Sequence, residues 1–317
     1  MSNTGPLSFM AVLTGCRHSV LGAVLAILAA VFWALAVILY KKSGDLFSPL
    51  SLNLYKSIVA FVLVGATMAL LGVPLFPDEP LEHWALLTLS GLLGITLADM
   101  FFFMALSRLG AGLMAITECA YLPFMILFSF VLLSETLSLA GILGGVLVLS
   151  AIVIGTVFGE QGMGKAPGQP EKTENSKEIA TGVVLGCVSI VFLALGIIMV
   201  KEVLEVTNLF WATLVRVTAG IVSLTLIILV HPRRKQYMDE LKFSKAWLVA
   251  LPASIAGNYL ALICWMGGMK YTSASRAAIL NQMSTIFIFI FAAMFLKEKI
   301  TPAKTVAICL AVSGAWL

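Results

Sequence analysis

The sequence predicts an all-α integral membrane protein with ten transmembrane helices, arranged as two inverted five-helix repeats. Three observations lead to this prediction. First, the chain of 317 residues is 60% hydrophobic and only 11% charged, which is too apolar for a soluble globular domain. Second, its apolar runs are about 20 residues long, the length of a membrane-spanning helix rather than of a barrel strand. Third, the second half of the chain repeats the first.

The internal repeat aligns residues 22–56 with 182–216, and residues 94–150 with 257–313. A three-residue length change between the aligned blocks accounts for the different offsets, 160 and 163. Duplicated hydrophobic segments are typical of secondary transporters, which bind their solutes between the repeats.

The apolar runs divide the chain into ten predicted spans, five in each repeat. Because five is an odd number, the second repeat must lie upside down relative to the first, about a pseudo-two-fold axis in the membrane plane. The predicted spans cover residues 20–40, 51–72, 84–106, 111–133, 139–158, 180–200, 209–230, 246–268, 276–296 and 303–317.

These spans define four segments of the chain. Residues 1–19 form an N-terminal segment, 20–158 the first repeat, 159–179 a linker and 180–317 the second repeat. The linker is rich in Gly, Pro, Glu and Lys and cannot form a packed core, so it is expected to be solvated. The five cysteines have no CxxC or metal-type spacing, so neither a disulfide framework nor a metal site is expected.

Basic residues are distributed unevenly between the two faces of the predicted fold. Of the twenty Lys and Arg residues, fourteen lie in odd-numbered loops, four on the opposite side and two within spans. The loop between spans 7 and 8, HPRRKQYMDELKFSK, contributes five of the fourteen, the largest share of any loop. Since basic loops stay in the cytoplasm, the count predicts cytoplasmic odd-numbered loops and an N-terminus outside.

Four ionisable residues lie within the predicted spans: Lys56, Asp99, Glu118 and Arg216. A charge deep in a bilayer costs roughly 2.5 kcal/mol or more, so each is a candidate functional residue. At a rise of about 1.5 Å per residue, Lys56, Asp99 and Glu118 all lie roughly 7 to 11 Å from the face of the odd-numbered loops. Spans 2, 3 and 4 are therefore expected to gather one cation and two carboxylates.

The two repeats differ where these charges lie. Arg216 takes the place of Lys56, but Asn281, followed by Gln282, takes the place of Glu118. Two carboxylates beside one lysine in a low-dielectric cavity cannot all ionise cheaply, so one of them is expected to hold a proton. The permanent charge of Arg216 suits a carboxylate or phosphate on a substrate.

A structural interpretation accounts for the same four charges. Lys56 and Arg216 can snorkel to the interface with no role in transport. Asp99 can pair with Lys56 simply to fix the packing of two helices. Both interpretations stay open at this point.

Other residues within the spans are candidates for the same site. Pro123 follows Glu118 closely and frees the carbonyl of Cys119, so a bent, polar segment is expected beside the carboxylate. Amides in the spans bond either a substrate or a neighbouring helix, and aromatic residues are candidates for the walls. The amide and aromatic candidates are Asn258, Asn281, Gln282, Trp33, Tyr121, Tyr259 and Trp265.

Two kinds of short motif occur in both halves of the chain. The small-residue segments LGAGLMAI and YTSASRAAIL lead into spans 4 and 9, and acidic turns containing Glu135 and Glu298 precede spans 5 and 10. Acids near a helix N-terminus complement its dipole, so both glutamates are interpreted as structural. Together with the repeated spans, these motifs resemble the EamA family of the drug/metabolite transporter superfamily.

The resemblance covers both halves, from about residue 20 to the end. It implies ten helices around a central cavity, and movement of small metabolites, commonly amino acids or related solutes, across a bacterial inner membrane. Two features depart from the family's pattern. The family keeps both termini cytoplasmic with a basic loop between spans 2 and 3, whereas the loop here, GVPLFPDEPLEHW, has no Lys or Arg. Ile286 stands opposite Pro123, where the family has a second proline, so only span 4 is expected to bend.

The sequence therefore predicts a multi-pass secondary transporter of the bacterial inner membrane that moves small polar or amphipathic metabolites by alternating access. Its expected partners are the lipid bilayer, a small solute and, at Glu118 and Asp99, protons; no cofactor, metal or nucleic acid is expected. Lys56 and Arg216 are expected to pair charges or to bind anionic groups. Import, export and exchange driven by the solute gradient alone stay open.

Two other classes of protein are alternatives to a transporter. A non-transporting scaffold or regulatory membrane protein would tolerate Glu118→Gln and Asp99→Asn without consequence. An intramembrane enzyme is disfavoured, because the three histidines lie outside the span cores and no HExxH motif or paired cysteine ligands occur.

Overall fold

The structure, a computed structural model, describes most of the chain as helix. The described residues are 6–44, 46–133, 139–157, 176–272, 277, 280–298 and 301–316, and most of their side chains are described from residue 20 onward. Within this part of the chain there is no β-strand.

Six helices form the first repeat. They are α1 (Pro6–Ser43), α2 (Pro49–Leu70), α3 (Leu81–Gly91), α4 (Asp99–Glu118), α5 (Tyr121–Leu133) and α6 (Leu139–Val157). A π-helical segment, π1 (Leu92–Ala98), joins α3 to α4. Within α4 the backbone departs from helical geometry at Gly110, whose φ of 72° and ψ of 175° separate the third predicted span from the fourth.

The second repeat has the same plan. Its helices are α7 (Ser176–Ile198), α8 (Lys201–Val206), α9 (Leu209–Val230), α10 (Arg234–Glu240), α11 (Trp247–Ser254), α12 (Leu262–Tyr271), α13 (Met283–Phe295) and α14 (Pro302–Trp316). A second π-helical segment, π2 (Ile255–Ala261), joins α11 to α12.

Helical segments lie at all ten predicted positions, but fewer of them qualify as spans on their own. Among the described residues, six helices are long and apolar enough to cross a membrane, while α13 and α14 are shorter apolar helices. The six are Val20–Ser43, Pro49–Leu70, Leu81–Glu118, Lys177–Ile198, Leu209–Val230 and Trp247–Tyr271. The two-repeat architecture fits these helices, and the count of ten spans stays a prediction.

Two helices begin earlier than the apolar runs predicted. Helix α1 starts at Pro6 rather than near residue 20, because the fixed φ of proline suits the first turn of a helix. Helix α7 starts at Ser176, inside the predicted linker, with Glu178 in its first turn, where an acid complements the helix dipole. Residues 158–175 of the predicted linker lie outside the described residues.

The pseudo-symmetry of the repeats extends to single contacts. Segments π1 and π2 occupy equivalent positions in the two repeats. Lys41 Nζ donates to the carbonyl oxygen of Leu106 at 3.2 Å, and the equivalent Lys201 Nζ donates to that of Met269 at 2.9 Å. Because Leu106 and Met269 are also equivalent, each repeat ties the lysine that follows its first predicted span to the end of its third predicted span in the same way.

The repeats interlock, since the first helix of each one packs against the other. A Cβ atom at Gly22 in α1 would lie 2.8 Å from the backbone carbonyl carbon of Tyr271 in α12. A Cβ atom at the equivalent Gly182 in α7 would lie 2.8 Å from the side chain of Leu109 in α4. Both distances are shorter than a carbon–carbon contact allows, so only glycine permits these two close approaches.

The turn before α14 makes a third contact between the repeats. Glu298 accepts hydrogen bonds from the backbone N–H groups of Ala111 at 3.1 Å and Gly112 at 3.2 Å. It thereby caps the second half of α4, in the other repeat, rather than the N-terminus of its own helix α14. The break at Gly110 explains this, because it leaves those N–H groups without helical acceptors. The equivalent Glu135 lies outside the described residues.

Helical geometry is interrupted at equivalent places in both repeats. The interruption at Cys119 and Ala120, between α4 and α5, agrees with the bend predicted from Pro123. A second interruption occurs at Gln282, just before α13, and the expectation that only span 4 bends stays a prediction. There the carbonyl of Gln282 accepts from the N–H of Thr285 at 3.1 Å, a tighter turn that forms without a proline.

Candidate functional site

A cavity of about 140 Å³ lies between the two repeats. Ten of the eleven candidate residues border it: Trp33, Lys56, Asp99, Glu118, Tyr121, Arg216, Asn258, Trp265, Asn281 and Gln282. Tyr259, considered as a further wall residue, is not among the residues that border the cavity. Its hydroxyl instead forms a 2.6 Å hydrogen bond with the hydroxyl of Thr67.

Lys56 and Asp99 form an ion pair at one wall of the cavity. Lys56 Nζ lies 2.6 Å from Asp99 Oδ2, and the lysine side chain is only 2% exposed. The ammonium group also lies 5.6 Å from the centre of the Phe103 ring, within range of a cation–π interaction. Segment π1 ends immediately before Asp99, the first residue of α4. The widened turn therefore helps to set the direction in which the Asp99 side chain points.

Glu118 borders the same cavity but has a different partner. Its Oε1 accepts a 3.1 Å hydrogen bond from Nε1 of Trp33, and its Oε2 has no hydrogen-bond partner among the described residues. The expected group of one cation and two carboxylates is therefore divided. Asp99 forms the ion pair with Lys56, whereas Glu118 accepts a hydrogen bond from the indole N–H of Trp33. Glu118 is the last residue of α4, so the interruption at Cys119 lies directly beside it.

Arg216 extends from α9 into the cavity from the second repeat. Its side chain is 3% exposed, so it does not snorkel to the interface, and neither does Lys56. Nη1 of Arg216 lies 2.8 Å from the sulfur of Met266. Within the described part of the chain, Nε has no hydrogen-bond partner and the guanidinium makes no ion pair.

Three buried polar groups at this cavity thus lack a partner atom among the described residues: Glu118 Oε2, Arg216 Nε and the Tyr121 hydroxyl. Buried polar groups are hydrogen-bonded in the great majority of cases, because an unmade bond leaves the desolvation cost uncompensated. An acid, a phenol and a guanidinium around one space can together hold a molecule that has both donors and acceptors.

Two of the three amide candidates bond to neighbouring side chains. Asn258 Oδ1 accepts a 2.8 Å hydrogen bond from the Tyr40 hydroxyl, and Gln282 Nε2 donates to Thr285 Oγ1 at 2.9 Å. For Asn258, the structure matches the alternative in which amides join helices. The bond of Gln282 is local, because Gln282 is the N-cap of α13 and Thr285 lies in the first turn of that helix. Asn281 borders the cavity and is partly exposed.

Several cavity residues were missed from the sequence, and the internal repeat is the signal that identifies them. Phe102 aligns with Trp265, Ser284 with Tyr121 and Ser189 with Ala29, and all six residues border the cavity. Applying the repeat to each candidate in turn would have added five cavity residues: Ile95, Phe102, Leu193, Leu262 and Ser284. Ser189 contributes further, because its hydroxyl donates to the carbonyl of Ala98 in π1 at 2.7 Å.

Two interlocked helical repeats around a buried cavity with unpaired charges define a polytopic membrane protein of the transporter class. The EamA-like transporter family matches residues 20–157 and 180–317, which together are most of the chain. The chain belongs to this family, whose members are transporters rather than enzymes.

Individual proteins add two comparisons. Over 72 residues the chain is 33% identical to the probable 4-amino-4-deoxy-L-arabinose-phosphoundecaprenol flippase subunit ArnF of Photorhabdus laumondii subsp. laumondii. That stretch is 22% of this chain and 57% of the relative, so the match spans little more than half of the curated protein. A solved crystal structure at 19% identity covers 93% of this chain and 94% of its own, with a TM-score of 0.65, and shares the fold.

Proposed function

We propose that the chain is a secondary transporter of the bacterial inner membrane that moves a small zwitterionic solute, such as an amino acid or a related metabolite. The solute would cross by alternating access between the two repeats. One observation carries this proposal: Glu118 and Arg216 border the same cavity, and neither has an ion-pair partner among the described residues. A scaffold has no use for such ionisable groups, because burying them between packed helices without an ion-pair partner costs stability.

The two charges define how the solute would be held. The guanidinium of Arg216 presents several N–H donors in one plane, which suits a carboxylate or phosphate on the solute. Glu118 Oε2 suits an ammonium group at the other end of the same molecule. The indoles of Trp33 and Trp265 also border the cavity and offer apolar faces to the rest of the solute.

Glu118 is the proposed site of proton coupling. Its carboxyl group has one described hydrogen-bond donor, Trp33, and a buried charge with so little compensation is costly. In the empty cavity the neutral, protonated form is therefore favoured. An incoming ammonium group stabilises the ionised form instead, so the proton leaves as the solute binds, and the two move in opposite directions.

Asp99 and Lys56 have a different proposed role. Because they already neutralise each other at 2.6 Å, they link α2 to α4 beside the cavity rather than taking the solute's charges. The proton-handling role that the sequence allowed for both carboxylates is thus assigned to Glu118, and the anion-binding role to Arg216.

A flippase for an amphipathic amino-phosphate is the second candidate function. The molecule in the name of the ArnF relative contains an amino group and a phosphate, the same two groups that Glu118 and Arg216 suit. The two candidates differ in whether the transported molecule is free in water or linked to a lipid.

A solute-resolved transport assay in proteoliposomes, with and without an imposed pH gradient, tests the proposal. The wild-type protein is expected to move one zwitterionic solute from a mixed panel, and to do so faster when the gradient is imposed. Glu118→Gln keeps the shape and the acceptor for Trp33 but cannot release a proton, so its transport is expected to lose the response to pH.

A matched control separates this effect from a general loss of acidity. Glu178→Gln removes an exposed carboxylate from the first turn of α7 and is expected to behave as wild type. Wild-type rate and pH response in Glu118→Gln would contradict the proton-coupling mechanism. Movement of a lipid-linked amino-phosphate alone, with no free solute, would select the flippase.

A further inference from the structure

Two equivalent tryptophans each lie beside an exposed phenylalanine. Trp84, at the start of α3, has its ring centre 6.1 Å from that of Phe76, and Trp247, at the start of α11, lies 5.3 Å from Phe243. Phe76 and Phe243 are 85% and 86% exposed. Exposed aromatic residues beside an interfacial tryptophan are typical of the lipid headgroup level. In the inverted topology that the sequence predicts, these two loops lie at headgroup level on opposite faces of the membrane.

These two loops carry opposite charges. Residues 71–84 contain three acidic residues and no Lys or Arg, whereas residues 231–246 contain five basic residues and two acidic ones. Both loops therefore carry the same pair of a tryptophan and an exposed phenylalanine, but only residues 231–246 carry Lys and Arg.

Both acidic residues of the basic loop, residues 231–246, already have partners within the protein. Asp239 pairs with Lys242 at 2.7 Å. Glu240 Oε2 accepts from the backbone N–H of Ser48 at 2.9 Å and from its hydroxyl at 2.6 Å. Partial burial opposes the ionisation of Glu240, but these hydrogen bonds outweigh it and hold the pKa of Glu240 below its ordinary value.

Four cations of this loop remain, each exposed and without an ion pair in the part of the chain that the structure describes. These four, which we call the basic face, are Arg233, Arg234, Lys235 and Lys245. The loop that carries the basic face is anchored to the helices beneath it. Tyr237 and Leu241 pack against the buried residues of α2 and α9, while the four cations are exposed. Its backbone therefore needs little reordering to bind a ligand.

We infer that the basic face binds the headgroup of an anionic phospholipid in its own leaflet, with Phe243 inserted beside it. Clustered cations next to a membrane-spanning helix attract anionic headgroups, and an exposed aromatic side chain adds apolar contact with the upper acyl chains. Since Glu240 ties the same loop to Ser48, the N-cap of α2, a bound lipid would also hold the end of the helix that carries Lys56.

Lipid binding to the purified full-length chain, followed by native mass spectrometry, tests this inference. The wild-type protein is expected to retain phosphatidylglycerol in preference to phosphatidylcholine. The variant Arg233→Gln/Arg234→Gln/Lys235→Gln/Lys245→Gln is expected to bind phosphatidylglycerol at least about tenfold more weakly, because each cation near the surface adds to the attraction. Lys242→Gln, whose cation is already paired, is expected to keep most of the preference.

Three results would overturn the inference: equal binding of the two lipids by wild type, an unchanged preference in the fourfold variant, or an equal loss in Lys242→Gln. If the fourfold variant does not fold, the salt dependence of the wild-type protein decides. Because exposed charges are screened, the preference for phosphatidylglycerol must fall at high ionic strength, and a preference that persists there contradicts the inference.

Discussion

Lys56 and Arg216 are equivalent cations whose surroundings have diverged. Asp99 forms an ion pair with Lys56, but Leu262 stands at the matching position of the second repeat, and Arg216 has no ion pair among the described residues. The duplication therefore produced two buried cations and left one of them unpaired. Glu118 completes this asymmetry, since its equivalent is the neutral Asn281. The unequal pairing explains why we assign solute binding to Arg216 and helix packing to Lys56.

Removing one member of the buried ion pair tests that assignment. Lys56→Met leaves Asp99 without its cation, and breaking a buried pair costs about 3 kcal/mol or more. The double variant Lys56→Met/Asp99→Asn removes both charges and is expected to recover most of this loss. Thermal unfolding in detergent measures both effects; an unchanged midpoint in Lys56→Met would show that the pair does not stabilise the fold.

At the scale of helices, the two π-helical segments lie beside the cavity. Segments π1 and π2 border the cavity from both repeats, as π-helical turns at functional sites often do. The widened turn of π1 is supported by side chains from outside it: Asn53 Nδ2 donates to the carbonyl of Ile95 at 2.9 Å, and Ser189 donates to that of Ala98. Hydropathy gives no signal for such turns, because their stability comes from these tertiary hydrogen bonds.

The break at Gly110 leads to a prediction about the fold. Gly110→Ala forces a side chain into a backbone conformation that is essentially restricted to glycine, which costs of order 1–3 kcal/mol. It would also displace the N–H groups that Glu298 caps. Urea or thermal unfolding measures the loss.

Gly65→Ala is the matched control for this substitution. Gly65 lies within α2, and a Cβ atom there meets nothing within 4 Å. Because alanine favours a helix over glycine by about 1 kcal/mol, this change is expected to be neutral or stabilising. If both variants lost the same stability, the special role of Gly110 would be refuted.

For the molecule as a whole, the sequence predicts best the features that depend on composition and on the internal repeat. Apolar composition and the duplication predicted an all-helical membrane protein, and the depths of Lys56, Asp99 and Glu118 placed all three beside one cavity. Which groups pair could not be predicted, because that depends on how each helix is rotated about its axis. In the structure, Asp99 points toward Lys56 and Glu118 points toward Trp33. The hydropathy pattern and the repeat do not predict the helix rotations that produce these contacts.

The labelling rate of a single cysteine inside the cavity tests most directly whether the solute binds between the repeats. Ser284→Cys, in a background whose native cysteines are replaced, puts a thiol at the wall of the cavity, and Ser244→Cys puts a control thiol on an exposed loop. The account predicts that the transported solute slows maleimide labelling at position 284 and leaves position 244 unchanged. A solute that is transported without slowing labelling at position 284 would contradict it.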